Sequence, residues 1–131
     1  MHTNGILPCP ACTLKLEEAD SRLGGWFWNM KLKYPQLHIA WSFRNESDQH
    51  AAFLSGKSKL DWPSSKHNNM INGLPCSLAL DVFTLDDQGD ANFNADFYEQ
   101  LNEDTLEASY PIVWGGSWIT FKDLDHFELT V

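Results

Sequence analysis

Alternation of apolar and polar residues marks several segments of the chain as strands. The first is predicted over residues 37–43, where every second residue is apolar: Leu37, Ile39, Trp41 and Phe43. The last is predicted over residues 125–131, where the apolar positions are Phe127, Leu129 and Val131. Apolar stretches over 77–84 and 111–114 predict two more strands between them.

Helical periodicity occupies three other segments, at residues 13–33, 46–55 and 92–108. The pair Gly24-Gly25 weakens or splits the first of these helices, and Pro35 closes it. Residues 1–10 are expected to be an irregular lead-in, and residues 57–76 a loop. Helices, then strands, then a helix between strands favour an α+β fold, a small antiparallel sheet flanked by helices, over a doubly wound sheet.

Length and composition set the scale of the molecule. The chain has 131 residues, of which 43% are apolar, which suits a single domain with its own core. No stretch is long and apolar enough to predict a membrane span. The first residues carry no Lys or Arg, so we expect a protein made in the cytoplasm without a signal peptide.

Charge is unevenly distributed along the sequence. The net charge is −9, but residues 1–66 hold eight basic and six acidic residues, a net of +2. Residues 67–131 hold one basic and twelve acidic residues, a net of −11. Nucleic-acid binding is disfavoured because phosphate backbones require basic surfaces. An acidic half could instead attract a cation or an amine.

Three cysteines are too few and too scattered for a disulfide scaffold. Cys9 and Cys12 form a lone CxxC motif, which is half of a structural zinc site, and no second CxxC or HxxxH completes it. A redox CxxC normally follows a strand, and none is predicted before Cys9. Titration of the two thiols would test a redox role.

Two histidines and one aspartate stand out as candidate metal ligands. Asp81 lies in the middle of an apolar strand, where a buried carboxylate costs several kcal/mol unless it is paired. A cation, a nearby Lys or Arg, or exposure of that face would each remove the cost. With His67 and His126, Asp81 would make a three-ligand zinc site with an open fourth position.

Hydrolysis at such a site also requires a base beside the attacking water. Asp123 and Asp125 are the candidates, because both closely precede His126. Adjacent residues of a strand point to opposite faces, which separates Asp125 from His126. Asp123 lies at the mouth of the strand, where a bend can bring it back toward the metal.

Three blocks of sequence resemble the zinc peptidases that cut peptidoglycan peptides, a family of D-Ala-D-Ala carboxypeptidases, D,D-dipeptidases and phage L-alanyl-D-glutamate endolysins. The first block, Ser42-Phe43-Arg44 followed by Gln49, resembles the family's aromatic-Arg strand end and the helix after it. The resemblance implies that Arg44 approaches the substrate and stabilises the anion formed during attack.

The second block pairs Ser65-x-His67 with Ala79-x-Asp81 and resembles the family's S-x-H and A-x-D motifs. It implies that His67 and Asp81 are zinc ligands and that Ser65 lines the pocket. The family's usual His-to-Asp interval is seven residues, whereas here it is fourteen. An insertion around residues 69–75 would account for the difference, and a loop insertion is thermodynamically tolerable.

The third block combines Trp114-Gly115-Gly116-Ser117-Trp118 with Asp123-x-x-His126-Phe127 and is similar to the family's C-terminal motifs. It implies that His126 is the third zinc ligand and that Asp123 is the catalytic base. Trp114 is expected either to wall the cleft or to pack in the core. The resemblance makes residues 37–131 the catalytic core of a single domain. Residues 1–36 form an N-terminal helical segment that matches no known pattern.

The resemblance predicts zinc-dependent hydrolysis of peptidoglycan stem peptides by a monomeric enzyme. A phage or prophage endolysin that cuts L-Ala–D-Glu, and acts at the wall after release, is the leading expectation. A D-Ala-D-Ala carboxypeptidase is the alternative within the same chemistry. A phage structural or wall-binding module that lost its activity is the alternative outside it.

Overall fold

The structure is a computed structural model that describes residues 9–130. Its helices are α1 Pro10–Leu16, α2 Ser21–Lys33, α3 Glu46–Leu54 and α4 Ala95–Glu107. Its strands are β1 Leu37–Trp41, β2 Met70–Ile71, β3 Leu74–Pro75, β4 Ala79–Leu85, β5 Ala91–Asn92, β6 Ile112–Trp114 and β7 His126–Leu129. Short 3₁₀ turns occupy Lys66–Asn68 and Gly115–Ser117.

The main sheet is antiparallel, with the strand order β1-β4-β7-β6 and with β5 paired to the end of β4. Strand β4 is central and almost wholly buried. With helices packed around this small sheet, the predicted α+β fold is confirmed. Among residues 9–130 no helix is long and apolar enough to cross a membrane.

One face of the sheet forms the hydrophobic core with α2 and α4. Leu80 and Val82 of β4 point into this core, together with Phe127 of β7. The Trp26 ring of α2 packs against Phe127, with ring centroids 5.1 Å apart. Alternation along β4 therefore sends Asp81 to the opposite face, so the sheet separates the core from the polar side chains of the candidate site.

The N-terminal helical segment differs from the expected single helix. It consists of α1 and α2, and the break falls at Ala19 and Asp20 rather than at the paired glycines, which lie inside α2. Asp20 caps α2 by accepting a hydrogen bond from the Arg22 amide, and Ala19 forms a bridge with Ser77. Pro10 begins α1 instead of belonging to an irregular lead-in, while residues 1–8 of that lead-in lie outside the described residues.

The extra residues between His67 and Asp81 form a separate hairpin of β2 and β3. Its turn, Asn72-Gly73, has positive φ at both residues (52° and 77°), as a two-residue type I′ turn requires. Asn69 and Cys76 close its base, because the Cys76 amide donates to the Asn69 carbonyl at 2.9 Å and the Asn69 side chain donates back. The hairpin therefore begins and ends at the paired residues Asn69 and Cys76, and the chain continues from there into β4.

Candidate metal centre

Strands β4 and β7 bring Asp81 and His126 together. The two residues are directly paired across the antiparallel ladder, so both side chains stand on the same face of the sheet. They are almost fully buried, with exposed fractions of 4% and 6%. Asp81 Oδ1 lies 3.1 Å from His126 Nδ1.

His67 reaches the same point from the 3₁₀ turn at Lys66–Asn68. Ser65 caps this turn, since its hydroxyl accepts a hydrogen bond from the His67 amide at 3.2 Å. The Arg44 amide donates to the His67 carbonyl at 3.0 Å and fixes the turn beside the end of β1. His67 Nε2 lies 3.2 Å from both Asp81 Oδ1 and His126 Nδ1.

The three facing atoms make a nearly equilateral triangle whose dimensions fit a zinc ion. Ligand atoms about 2.0 Å from one tetrahedral ion lie about 3.3 Å from each other, and the observed separations are 3.1–3.2 Å. Two imidazoles and one carboxylate also form a donor set that zinc binds readily. The predicted ligands His67, Asp81 and His126 are therefore brought together by the fold.

The outer nitrogen of each imidazole has its own partner, which sets the tautomer. His67 Nδ1 lies 2.6 Å from the Ser42 carbonyl, so we assign the proton to this nitrogen. His126 Nε2 lies 2.8 Å from Glu128 Oε1 and is assigned a proton in the same way. The inner nitrogens and Asp81 Oδ1 then face one another, so the site requires a positive charge between them, either a proton on an inner nitrogen or a metal ion.

His67, Asp81 and His126 form a triad whose electrostatic surroundings favour positive charge. Burial by itself lowers the pKa of His126, but its hydrogen bonds to Asp81 and Glu128 raise that pKa to about 10. Burial opposes ionisation of Asp81, yet the two histidines hold its pKa well below the usual range. The carboxylate is thus charged over the whole physiological range, which is the state that a metal ligand requires.

Arg44 and Glu128 support the triad from behind. The Arg44 Nη2 atom donates to Asp81 Oδ2 at 2.9 Å, so Asp81 has both a basic partner and the two histidines. Glu128, which holds His126, also forms a 2.9 Å ion pair with Lys66. The role of Glu128 as the partner of His126 was not predicted from the sequence, although its position two residues after His126 places it on the same strand face.

Asp123 stands beside the triad because Gly115 allows it to approach. The Asp123 amide donates to the Gly115 carbonyl at 3.1 Å. A Cβ at Gly115 would lie 2.4 Å from the Asp123 carbonyl oxygen and 3.2 Å from His126 Cβ. The glycine is therefore required for the loop that carries Asp123 to lie against the start of β7.

Asp125 is closer to the site than the alternation argument implied. It lies in the turn before β7, so strand alternation does not apply to it. Carboxylate oxygens of Asp81, Asp123 and Asp125 lie within 4.8 Å of one another. Burial, the charge of Asp81 and a hydrogen bond with Asp123 raise the pKa of Asp125 to about 8.

Two cavities border the group of acids Asp81, Asp123 and Asp125. The smaller, of about 260 Å³, has in its wall Arg44, Ser65, His67, Trp118, Asp123 and His126. The larger, of about 520 Å³, has in its wall Trp41, Arg44, Lys57, Asp81, Asp123 and Asp125. Arg44 and Asp123 belong to both walls. Ser65, which was predicted to line a pocket, lines the smaller cavity.

The two tryptophans of the Trp-Gly-Gly-Ser-Trp block have different positions. Trp114 is 8% exposed and belongs to the core, where its ring stacks on Phe127 and its indole N–H donates to the Leu124 carbonyl. Trp118 lines the smaller cavity, and its ring centroid is 5.3 Å from that of His126. Trp118 therefore occupies the cleft wall, which was one of the two positions expected for Trp114.

Comparisons with known proteins show the fold. No protein-family profile matches the chain, and no curated protein matches it. Among solved structures it is similar to the L-Ala D-Glu endopeptidase ChiX of Serratia marcescens, with a TM-score of 0.69 and 22% sequence identity. The match covers 90% of this chain and 85% of ChiX.

Proposed function

We propose that this protein is a zinc-dependent peptidase that cuts a peptide bond in peptidoglycan stem peptides, between L-Ala and D-Glu. The observation that carries the proposal is the convergence of His67, Asp81 and His126, with their inner atoms 3.1–3.2 Å apart, next to a further carboxylate at Asp123. The choice of substrate is supported by the fold shared with ChiX, a protein described as an L-Ala D-Glu endopeptidase.

In the proposed reaction Asp123 is the catalytic base and Arg44 stabilises the oxyanion. A zinc ion held by the triad would polarise the scissile carbonyl and lower the pKa of a water molecule. Asp123 takes the proton from the attacking water and passes it to the leaving amine. Arg44 lies in the wall of both cavities and donates hydrogen bonds to the developing oxyanion.

Basic side chains near the cavities suit an anionic peptide. Although the chain carries a net charge of −9, Lys57 and Lys59 join Arg44 in the wall of the smaller cavity, where Lys66 is already paired with Glu128. A peptide bond that precedes D-Glu has a carboxylate on the next residue, as does a terminal D-Ala-D-Ala bond. The basic wall places positive charge near that carboxylate, and this electrostatic match favours binding of either substrate.

The test compares Asp123→Asn with wild type on purified muropeptides. Asp123→Asn should keep the bound zinc and the fold but lose turnover by about 10²–10⁴-fold, because only the proton acceptor is removed. Asp90→Asn changes an exposed acid in the turn after β4 and should behave like wild type. His126→Ala should lose both zinc and turnover.

Mass spectrometry of the products identifies the bond that is cut. Cleavage between L-Ala and D-Glu supports the proposal, whereas loss of a terminal alanine makes the protein a carboxypeptidase. A wild-type protein with one zinc at the triad and no turnover of either substrate would contradict the proposal and leave a binding module. The phage or prophage origin and the monomeric state stay predictions.

A further inference from the structure

A second cluster of metal-ligand side chains lies at the N-terminal end of the described chain. Cys9, Cys12 and His38 meet there, and all three are fully buried. The Cys9 and Cys12 sulfurs lie 3.5 and 3.7 Å from His38 Nδ1, and 2.9 Å from each other. From the sequence only the two cysteines were identified, because His38 comes from a strand 26 residues after Cys12.

Local structure aligns these side chains without any metal motif in the sequence. Cys9 is the residue that precedes α1, and Cys12 is one turn further along the helix, so both sulfurs lie on the same side. His38 is the second residue of β1, and its ring is held 5.8 Å from that of Phe83. Contacts between α1 and β1 then bring the sulfurs to the imidazole.

We propose that Cys9, Cys12 and His38 supply three of the four ligands of a buried structural Zn²⁺ ion. Zinc–sulfur bonds of about 2.3 Å and zinc–nitrogen bonds of about 2.0 Å place sulfur and nitrogen about 3.5 Å apart at tetrahedral angles, close to the observed 3.5 and 3.7 Å. The sulfurs need to separate by about 0.9 Å to reach the ~3.8 Å of two zinc-bound thiolates. Thiolate and imidazole together are a soft donor set that favours zinc over magnesium or calcium.

A redox role for the CxxC pair fits the structure less well. A reactive dithiol requires an accessible sulfur with a lowered pKa. Both sulfurs are fully buried, so neither is accessible to an external thiol or disulfide. Exchange with an external thiol or disulfide would first require α1 to leave the core.

The ion would connect the N-terminal helix to the strand that leads into the catalytic site. Beyond the cluster, the Ser42 hydroxyl donates to the Lys15 carbonyl of α1 at 2.6 Å, and the Ser42 carbonyl accepts from His67. The Lys15 ammonium also lies over the Trp41 ring, 5.1 Å from its centroid. A metal at Cys9, Cys12 and His38 therefore stabilises α1 against β1, close to the residues that orient His67.

Metal stoichiometry in the full chain tests the proposal. Wild type purified under reducing conditions should hold two zinc ions per chain. Cys9→Ser, Cys12→Ser and His38→Ala should each hold one, with a lowered Tm, while His126→Ala loses only the other ion. Cys76→Ser is the matched control, because Cys76 lies outside both clusters, and it should keep two ions.

Cobalt substitution of the wild-type protein tests the proposal even if the variants do not fold. Co²⁺ at this site should give a sulfur-to-metal charge-transfer band in the near ultraviolet, which oxygen and nitrogen ligands at His67, Asp81 and His126 cannot produce. A wild-type protein that binds a single ion and shows no such band would overturn the proposal. A Cys9–Cys12 disulfide in protein kept under reducing conditions would overturn it as well.

Discussion

Replacing Gly115 by alanine would put a methyl group inside the loop that carries Asp123. The new Cβ would lie 2.4 Å from the Asp123 carbonyl oxygen and 3.0 Å from Asp123 Cβ. Ordinary contact begins at 3.4 Å, so the loop has to move by about 1 Å. Overpacking of this kind costs about 1–3 kcal/mol of stability, and a 1 Å misplacement of a reacting group costs about 10²-fold in rate.

Two measurements separate the effects of Gly115→Ala. Urea unfolding gives the loss of stability, and turnover of purified muropeptides gives the loss of rate, with zinc content measured in the same samples. Gly25→Ala is the control, because nothing lies within 4 Å of a Cβ at that position in α2, and it should stabilise the helix by about 0.5–1 kcal/mol. If Gly115→Ala kept wild-type stability and turnover, the proposed packing of the Asp123 loop would be refuted.

Three other predictions follow from the contacts around the site and the core. Glu128→Gln should weaken zinc binding about 10–100-fold in a chelator competition, because His126 loses its charged partner; unchanged affinity would contradict this. Burial disfavours ionisation of Asp104, but hydrogen bonds from Tyr34, Lys33 and Gln100 lower its pKa below 3.8, so its charge stabilises the fold fully above pH 3.8 and progressively less as the pH falls toward the lower folded-state pKa. Asp104→Asn should therefore cost about 1–3 kcal/mol at pH 7, and its difference from wild type in urea unfolding should shrink as the pH falls below 3.8; a difference that does not change with pH would count against this. The hairpin can be shortened by deleting its strand residues Met70, Ile71, Leu74 and Pro75, which leaves the Asn72-Gly73 turn directly on the paired Asn69 and Cys76. The shortened protein should bind as much zinc as wild type. A loss of zinc would show that the hairpin shapes the site.

Local patterns in the sequence predicted most of the elements that carry the site. The alternation over residues 37–43 corresponds to β1, and Asn45 caps α3 as its residue type favours. The region around Asp20 was harder, because the bridge between Ala19 and Ser77 is a tertiary contact that no local pattern shows. Gly24 and Gly25 suggested a break, yet a helix tolerates them where packing on the core is strong.

For the candidate site, the sequence singled out the three residues that the fold brings together, but not the residues that support them. Asp81 and His126 are residue types that rarely lie on apolar strands without a reason, and the Ser65-x-His67 motif pointed to His67, so sequence alone could single out all three. The pairing of Arg44 with Asp81 joins residues 37 positions apart and is visible only in three dimensions. Trp114 and Trp118 have equivalent sequence surroundings, and only the fold shows which of them faces the core.

Crystals of the zinc-loaded protein, measured at the zinc absorption edge, would show whether His67, Asp81 and His126 hold the ion. We expect an anomalous peak about 2.0–2.2 Å from His67 Nε2, Asp81 Oδ1 and His126 Nδ1, with Asp123 beside it. A second peak at Cys9, Cys12 and His38 would belong to the structural site and leaves this result unaffected. Density without an anomalous peak among His67, Asp81 and His126, in protein that binds zinc in solution, would contradict the account.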